Sequence, residues 1–212
     1  MNGQKLVIFG ATGRTGRQIV DQALQQGREV TAFVRDPQKL PIRHDRLRVI
    51  TGDVTTDVDA VSRAVSAQDA AISALGKGQS LRSDHLISRS MRTLVPAMER
   101  QGVRRLIVVS AFGVGDSRRD ATLLQRITFR LMLQDLYADK AAAEEYLRGS
   151  SLDWTVIQPT LLTDGPLTGT YRAGERLNLR GLPRISRADV AHFALAQLSD
   201  VTYSRKSAAI SA

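Results

Sequence analysis

Apolar positions in this chain follow two alternating rhythms: short unbroken runs, and longer stretches in which they recur every three or four residues. Lys5–Phe9 is a short β-rich run, glycines follow at once, and Arg14–Gln26 then has helical spacing. Gly27 marks the stop, because a glycine just past a helix takes the left-handed conformation without a Cβ penalty. Glu29–Val34 and Leu47–Thr51 read as the second and third strands, Val58–Ser66 as a helix, and Ala70–Leu75 as the fourth strand. His85–Gln101 is a long helix ended by Gly102, and Arg105–Val109 is a fifth strand rich in β-branched residues. Asp120–Arg148 is helical, with Tyr137, Lys140 and Glu144 on neighbouring turns. Leu152–Ile157 is the sixth strand, closed by Pro159, and Thr160–Leu182 reads as loop with short strands. Ser186–Ser199 is a helix opened by a serine cap, and Lys206–Ile210 adds a final strand. This alternation predicts a doubly wound α/β fold: one Rossmann-like domain over residues 1–212, a parallel sheet with helices on both faces, and a substrate-side loop region at about 160–185.

The first strand-to-helix turn reads Gly10-Ala11-Thr12-Gly13-Arg14-Thr15-Gly16. Gly10 suits the tight turn off the strand, Gly13 lets backbone approach a pyrophosphate, and Gly16 allows close helix–strand packing. Free N–H groups and the helix dipole at that end attract phosphate. Three glycines alone are a weak signal, but their position between a strand and a helix is the confirming context for a dinucleotide.

The end of the second strand selects the cofactor. An acidic side chain about 20 residues on holds the ribose hydroxyls of NAD. Here that place is taken by Arg35, followed by Asp36. A guanidinium suits a 2′-phosphate in charge and geometry, with Lys39 and Arg14 in reach, so NADPH is expected. Asp36 turned onto the ribose would instead restore NAD. Asp53-Val54 stands where the adenine edge is expected, and a turn aspartate capping the next segment is the competing reading. Ala74-Leu75-Gly76-Lys77-Gly78 lies beside the expected cofactor channel, with plain loop glycines as its alternative. Ser110-Ala111-Phe112 ends the fifth strand, where ligands bind in open sheets. Ser110 is a candidate to position substrate or nicotinamide, and Phe112 to form an apolar wall; a structural role competes for both.

Composition removes other chemistries. Of 212 residues none is cysteine, which excludes disulfides, thiolate catalysis and cysteine–zinc sites, and no metal is expected. The apolar runs are too short to span a bilayer, and the strand pattern begins at Lys5, so neither membrane nor signal peptide is expected and a cytoplasmic location follows. The formal charge is +9, but the basic residues are spread along the whole chain with no basic tail. Solvated faces with a mild preference for anionic ligands are expected, not nucleic-acid binding. A monomer is the expected state.

The stretches G-A-T-G-R-T-G at 10–16, V-R-D-P-Q-K-L-P at 34–41, G-D-V at 52–54, V-S-A-F-G at 109–113 and P-L-T-G-T-Y at 166–171 together resemble atypical short-chain dehydrogenase/reductases. They are most similar to the NADPH-dependent flavin reductase/biliverdin-IXβ reductase group. The resemblance implies hydride transfer from NADPH to flavins and linear tetrapyrroles. It implies cofactor contacts at Thr12, Gly13, Thr15, Arg35, Lys39, Asp53, Val54 and Gly76, with Ser110 in the active site. Two departures stand out. The Tyr-x-x-x-Lys pair of carbonyl-reducing short-chain dehydrogenases is missing, leaving Tyr137 and Lys140 three apart and able to face one way on a helix. The histidine that biliverdin-reducing members carry before the P-L-T-G-x-Y segment is matched by Leu161.

These residues imply an NADPH-dependent reductase that passes hydride to a planar acceptor: flavin (FMN or riboflavin) as substrate, or a related biliverdin or quinone. Such chemistry requires binding and alignment more than a strong protein acid. Arg118, Arg119 and Arg172 are candidates to attract a phosphate or propionate. The competing reading is an NADP-binding redox sensor without turnover.

Overall fold

The computed structural model describes residues 4–76, 84–114, 134–179 and 181–212. Its strands are β1 (Lys5–Phe9), β2 (Glu29–Val34), β3 (Leu47–Thr51), β4 (Ala70–Ser73), β5 (Arg105–Val109), β6 (Asp153–Pro159), β7 (Leu161–Thr163), β8 (Arg172–Gly174), β9 (Arg184–Ser186) and β10 (Lys206–Ser211). The α-helices among the described residues are α1 (Arg14–Gln25), α2 (Val58–Val65), α3 (Leu86–Gln101), α4 (Gln134–Arg148) and α5 (Arg187–Ala196).

Eight strands form one sheet in the order β3-β2-β1-β4-β5-β6-β10-β8, and β7 pairs with β9 separately. Every pairing in the large sheet is parallel except β10 with the edge strand β8. The chain is therefore the Rossmann-like α/β domain expected from its sequence.

Alternation along β1 explains why both faces are covered. Leu6 and Ile8 pack against Ile19 and Val20 of α1 and Val190 and Ala194 of α5. Val7 and Phe9 point the other way, toward Val61 of α2, Met91 and Leu94 of α3, and Leu147 of α4. A strand buried on both faces has no polar side to show, which is why it reads as one apolar run.

Several boundaries differ from expectation for local reasons. β4 stops at Ser73 instead of Leu75, although the Ala74 N–H still donates to the Phe9 carbonyl of β1 at 2.9 Å. β6 continues through Pro159, whose carbonyl accepts from the Phe112 N–H at 2.9 Å and which pairs with Ile210 of β10. Helix α5 is shorter than Ser186–Ser199, but its serine cap is present: Ser186 Oγ accepts from the Asp189 N–H at 2.9 Å. The expected helical stretch from Asp120 to residue 133, together with Lys77, Gly78, Arg118 and Arg119, lies outside the described residues.

The N-terminus of α3 is satisfied from a distance. Its own N-cap, His85, makes no side-chain cap. Instead the buried Asp139 carboxylate of α4 accepts from the N–H groups of Ile87 and Ser88, both at 2.9 Å. This carboxylate meets the partial positive end of the helix and ties α4 onto α3.

Candidate functional site

Strand order reverses between β1 and β4, and the crevice outside their C-terminal ends is where open α/β sheets bind ligands. The glycine loop occupies that crevice. Gly10 has φ +80°, and a Cβ there would stand 2.6 Å from the Ala74 carbonyl oxygen. At Gly16 a Cβ would stand 2.1 Å from the Gly10 oxygen, so α1 can start this close to β1 only with glycine. The Gly13 N–H closes the turn on the Gly10 oxygen at 3.0 Å. Gly13 is also the N-cap of α1 and provides no side-chain cap, leaving the first N–H groups of the helix to meet an anion.

A cleft of about 150 Å³ opens directly over this loop, lined by Gly10, Thr12, Gly13, Val54, Leu75 and Gly76 among others. It runs into a second cleft of about 420 Å³, with Arg35, Gly76 and Leu86 on the walls of both. The second is polar, bordered by Arg35, Asp53, Thr55, Asp84 and Arg89. Thr15 lies half-buried on the first turn of α1.

The side chains around the second cleft have distinct tasks. Asp53 Oδ1 accepts from both the N–H and the hydroxyl of Thr55, at 2.8 and 2.7 Å. The Thr55 hydroxyl and then its N–H hold the carboxyl below the usual aspartate range, with smaller help from Arg35 and Arg89. Asp53 is thus both a turn residue and a lining residue. Asp36 turns away: it caps the short 3₁₀ turn Pro37–Lys39 by accepting from the Gln38 N–H at 3.0 Å, and it pairs with Lys39 at 3.5 Å. Arg35 is exposed at the cleft border. Arg14 reaches Asp164 at 2.8 Å, and Arg187 pairs with the same carboxylate at 2.7 Å. Arg17, not Arg14, approaches the Lys39 turn, donating to its carbonyl at 2.9 Å.

The residues at the end of β5 belong to a buried polar cluster. Ser73 of β4 stands opposite Val108 of β5, and Ser110 follows two residues on, buried, where it lines a small internal void with Lys140 and Glu144. Ser110 Oγ bonds Glu144 Oε1 at 2.6 Å, and Lys140 Nζ donates to the Ser110 carbonyl at 2.8 Å. Gln158 Nε2 donates to the Val114 carbonyl at 3.0 Å and lies 3.3 Å from Glu144 Oε2. Burial raises the Glu144 carboxyl above the usual glutamate range, against hydrogen bonds from Ser110 and Gln158. Burial pulls the Lys140 ammonium down to about 8, although Glu144 and Asp139 act to raise it.

Tyr137 and Lys140 do face the same way, but onto main chain: the Tyr137 hydroxyl donates to the Phe112 carbonyl at 3.0 Å. Burial pushes its phenol up to about 12, so the proton stays on oxygen. Phe112 packs with Leu179 and Ala209 in a small apolar cluster. The P-L-T-G-T-Y segment is anchored on α5, where Asp189 accepts from the Thr168 and Gly169 N–H groups at 2.8 and 2.9 Å. Tyr171 there meets His192 at 2.7 Å. Leu161 is exposed on β7, and Arg172 on the edge strand β8.

Sequence reasoning did not find Arg89, or the roles of Glu144, Gln158 and Asp139. Arg89 sits in a helix with no motif around it. Glu144 had one usable signal, an acidic residue one turn from a lysine on an otherwise apolar helix face. Among the described residues no group of acidic and histidine side chains could hold a metal, and no helix is long and apolar enough to cross a membrane.

Residues 10–201 match the family described as NAD(P)H-binding. A chloroplastic protein of Arabidopsis thaliana, At2g34460, is 30% identical over 173 residues, covering 78% of this chain and 62% of its own length. YwnB of Bacillus subtilis is 27% identical over 204 residues, 92% of either chain. Among solved structures, the anaerobillin reductase ChuY of Escherichia coli O157:H7 superposes with a TM-score of 0.78 at 26% identity, over 98% of this chain and 96% of that one.

Proposed function

This chain belongs to the NAD(P)H-binding family, and on that premise we propose that it is an NADPH-dependent reductase passing hydride to a planar acceptor, with flavin first and biliverdin or quinone as related alternatives. One observation carries the choice of NADPH: at the end of β2 the cationic Arg35 borders the cleft while Asp36 is engaged in its own turn. A dianionic 2′-phosphate there would meet Arg35 and, across the same cleft, Arg89. A ribose diol seeking a carboxylate would not find Asp36.

The remaining assignments follow the cradle. The α1 N-terminus and the loop Gly10–Gly16, with Thr12 and Thr15, would receive the pyrophosphate. Val54 and Asp53 would meet the adenine, and Leu75 and Gly76 the middle of the cofactor. When bound, the dinucleotide supplies hydride chemistry, and the protein supplies alignment and exclusion of water. Ser110 is the residue at the mouth proposed to touch the reacting groups. Phe112 acts there only as backing, through its packing and its carbonyl bond to Tyr137.

ChuY is called an anaerobillin reductase, and that likeness supports a reductase acting on a large conjugated acceptor. The test is NADPH oxidation followed by absorbance with FMN, riboflavin, menadione and biliverdin in parallel. Stimulation by at least one is expected. Tight NADPH binding with no turnover on any acceptor would sink the enzyme reading and favour a redox sensor.

A further inference from the structure

Ser110 directly follows β5 at the C-terminal edge of the sheet, the edge proposed above as the ligand mouth, and its hydroxyl is committed inward, to a carboxyl that the reductase chemistry above does not use. We propose that Glu144 is a positioning residue that sets the hydrogen-bond polarity of Ser110, making its hydroxyl the proton donor to an acceptor that takes up a proton together with the hydride. This rests on the reductase reading and narrows its substrate: the acceptor carries a basic heteroatom near the reacting centre, such as a quinone oxygen or a ring nitrogen.

The geometry follows from donor counting. A serine hydroxyl has one proton. With Glu144 ionised, the 2.6 Å contact holds that proton on the inner side, and Ser110 offers only lone pairs to a ligand. With Glu144 protonated, the carboxyl donates to Ser110 Oγ, and the serine proton is released to point outward. In the transfer step the Ser110 O–H bond breaks as the bond from hydrogen to the acceptor heteroatom forms. At the same time the Glu144 O–H bond breaks and a new Ser110 O–H bond forms. The dinucleotide, when bound, would supply the hydride and be left as NADP+, so acceptor, NADPH and one proton would give reduced acceptor and NADP+. Solvent then returns a proton to Glu144.

The surroundings fit a carboxyl that holds a proton more readily than most. Glu144 is 3% exposed. Facing it are Lys140 and Arg148 from its own helix, Ser110 from the end of β5, and Gln158 from β6. Toward α3 it meets Ile87 and Met91 around a void of about 10 Å³, near the lower limit for one water. Arg148 stays 3.7 Å away, and the Lys140 ammonium is spent on the Ser110 carbonyl, so neither cation closes on the carboxyl. Desolvation therefore outweighs the attraction of both.

The experiment has two arms. In cofactor-free protein, carbon NMR of labelled glutamates, assigned with Glu144→Gln, follows the carboxyl as pH changes. Titration above the usual glutamate range is expected, and Ser110→Ala should move it higher still by removing a donor to the carboxylate. In the second arm, kcat is measured against pH with FMN and with menadione. Wild-type kcat should fall as pH rises through the Glu144 transition; Glu144→Gln should lose that limb, with kcat lower by about tenfold or more and NADPH KM little changed. Ser110→Thr should keep the limb. An ordinary Glu144 titration, or a Glu144→Gln profile superimposed on wild type, overturns the proposal while the reductase reading stands. Absence of wild-type turnover on either acceptor removes the reductase reading itself.

Discussion

The two halves of the ligand mouth are built in different ways. On the β1–β3 side, the proposed cofactor wall is built from backbone and from residues close in sequence: a glycine loop, a helix N-terminus and Arg35. On the β5–β6 side, Ser110, Tyr137, Lys140, Glu144 and Gln158 converge from three separate elements into a buried cluster. The first half is wettable, and Arg35 stands exposed on its cleft. The second is dry, so each of its polar groups must find a protein partner, and its titrations are displaced as a result. On the proposed reading, a mouth divided in this way would hold a charged cofactor on one wall and control protons on the other.

Substitutions can test that division, the severest first. Gly16→Ala forces a Cβ to within 2.1 Å of the Gly10 oxygen. Destabilisation of about 3 kcal/mol and loss of NADPH binding are expected, read by urea unfolding and fluorescence titration. Wild-type values for both would mean that the close approach is not needed. Arg35→Ala should raise the NADPH Kd by roughly 10- to 100-fold, the range of a charge-assisted hydrogen bond, and leave NADH nearly untouched. Equal losses for the two would place Arg35 outside the 2′-phosphate site. Smallest is Tyr137→Phe, which removes the bond to the Phe112 carbonyl. It should cost about 1 kcal/mol of stability while kcat stays well short of the ~10²-fold loss typical of a missing catalytic acid. A loss of that size would move the tyrosine from scaffold to chemistry and blur the division.

Legibility in the sequence follows the same line. The strands of the cofactor half, β1, β2 and β3, were readable to the residue because short β-rich runs end at glycine or at a charged turn. The end of β4 was misplaced, since Ala74 and Leu75 are apolar enough to continue a strand; the Ala74 N–H does bond Phe9 of β1, but the strand ends at Ser73, where the Gly10 turn packs against the Ala74 carbonyl. Asp53 has its expected turn role, bonding Thr55, and it lines the cleft as well; its contact with adenine belongs to the proposed function. Arg14 was expected, with Lys39, in reach of the 2′-phosphate; its guanidinium pairs with Asp164, 150 residues away in the chain. No local pattern could announce that pairing.

By itself the sequence determined the alternation of strands and helices, the glycine loop and the arginine that follows β2, because periodicity, φ requirements and charge are properties of short segments. The tertiary structure alone decided that Arg14 pairs with Asp164, that Arg89 joins Arg35 at one cleft, and that Ser110 answers to Glu144. Those outcomes depend on which elements pack side by side and on how far each polar group is removed from water, and neither is written in any single stretch of chain.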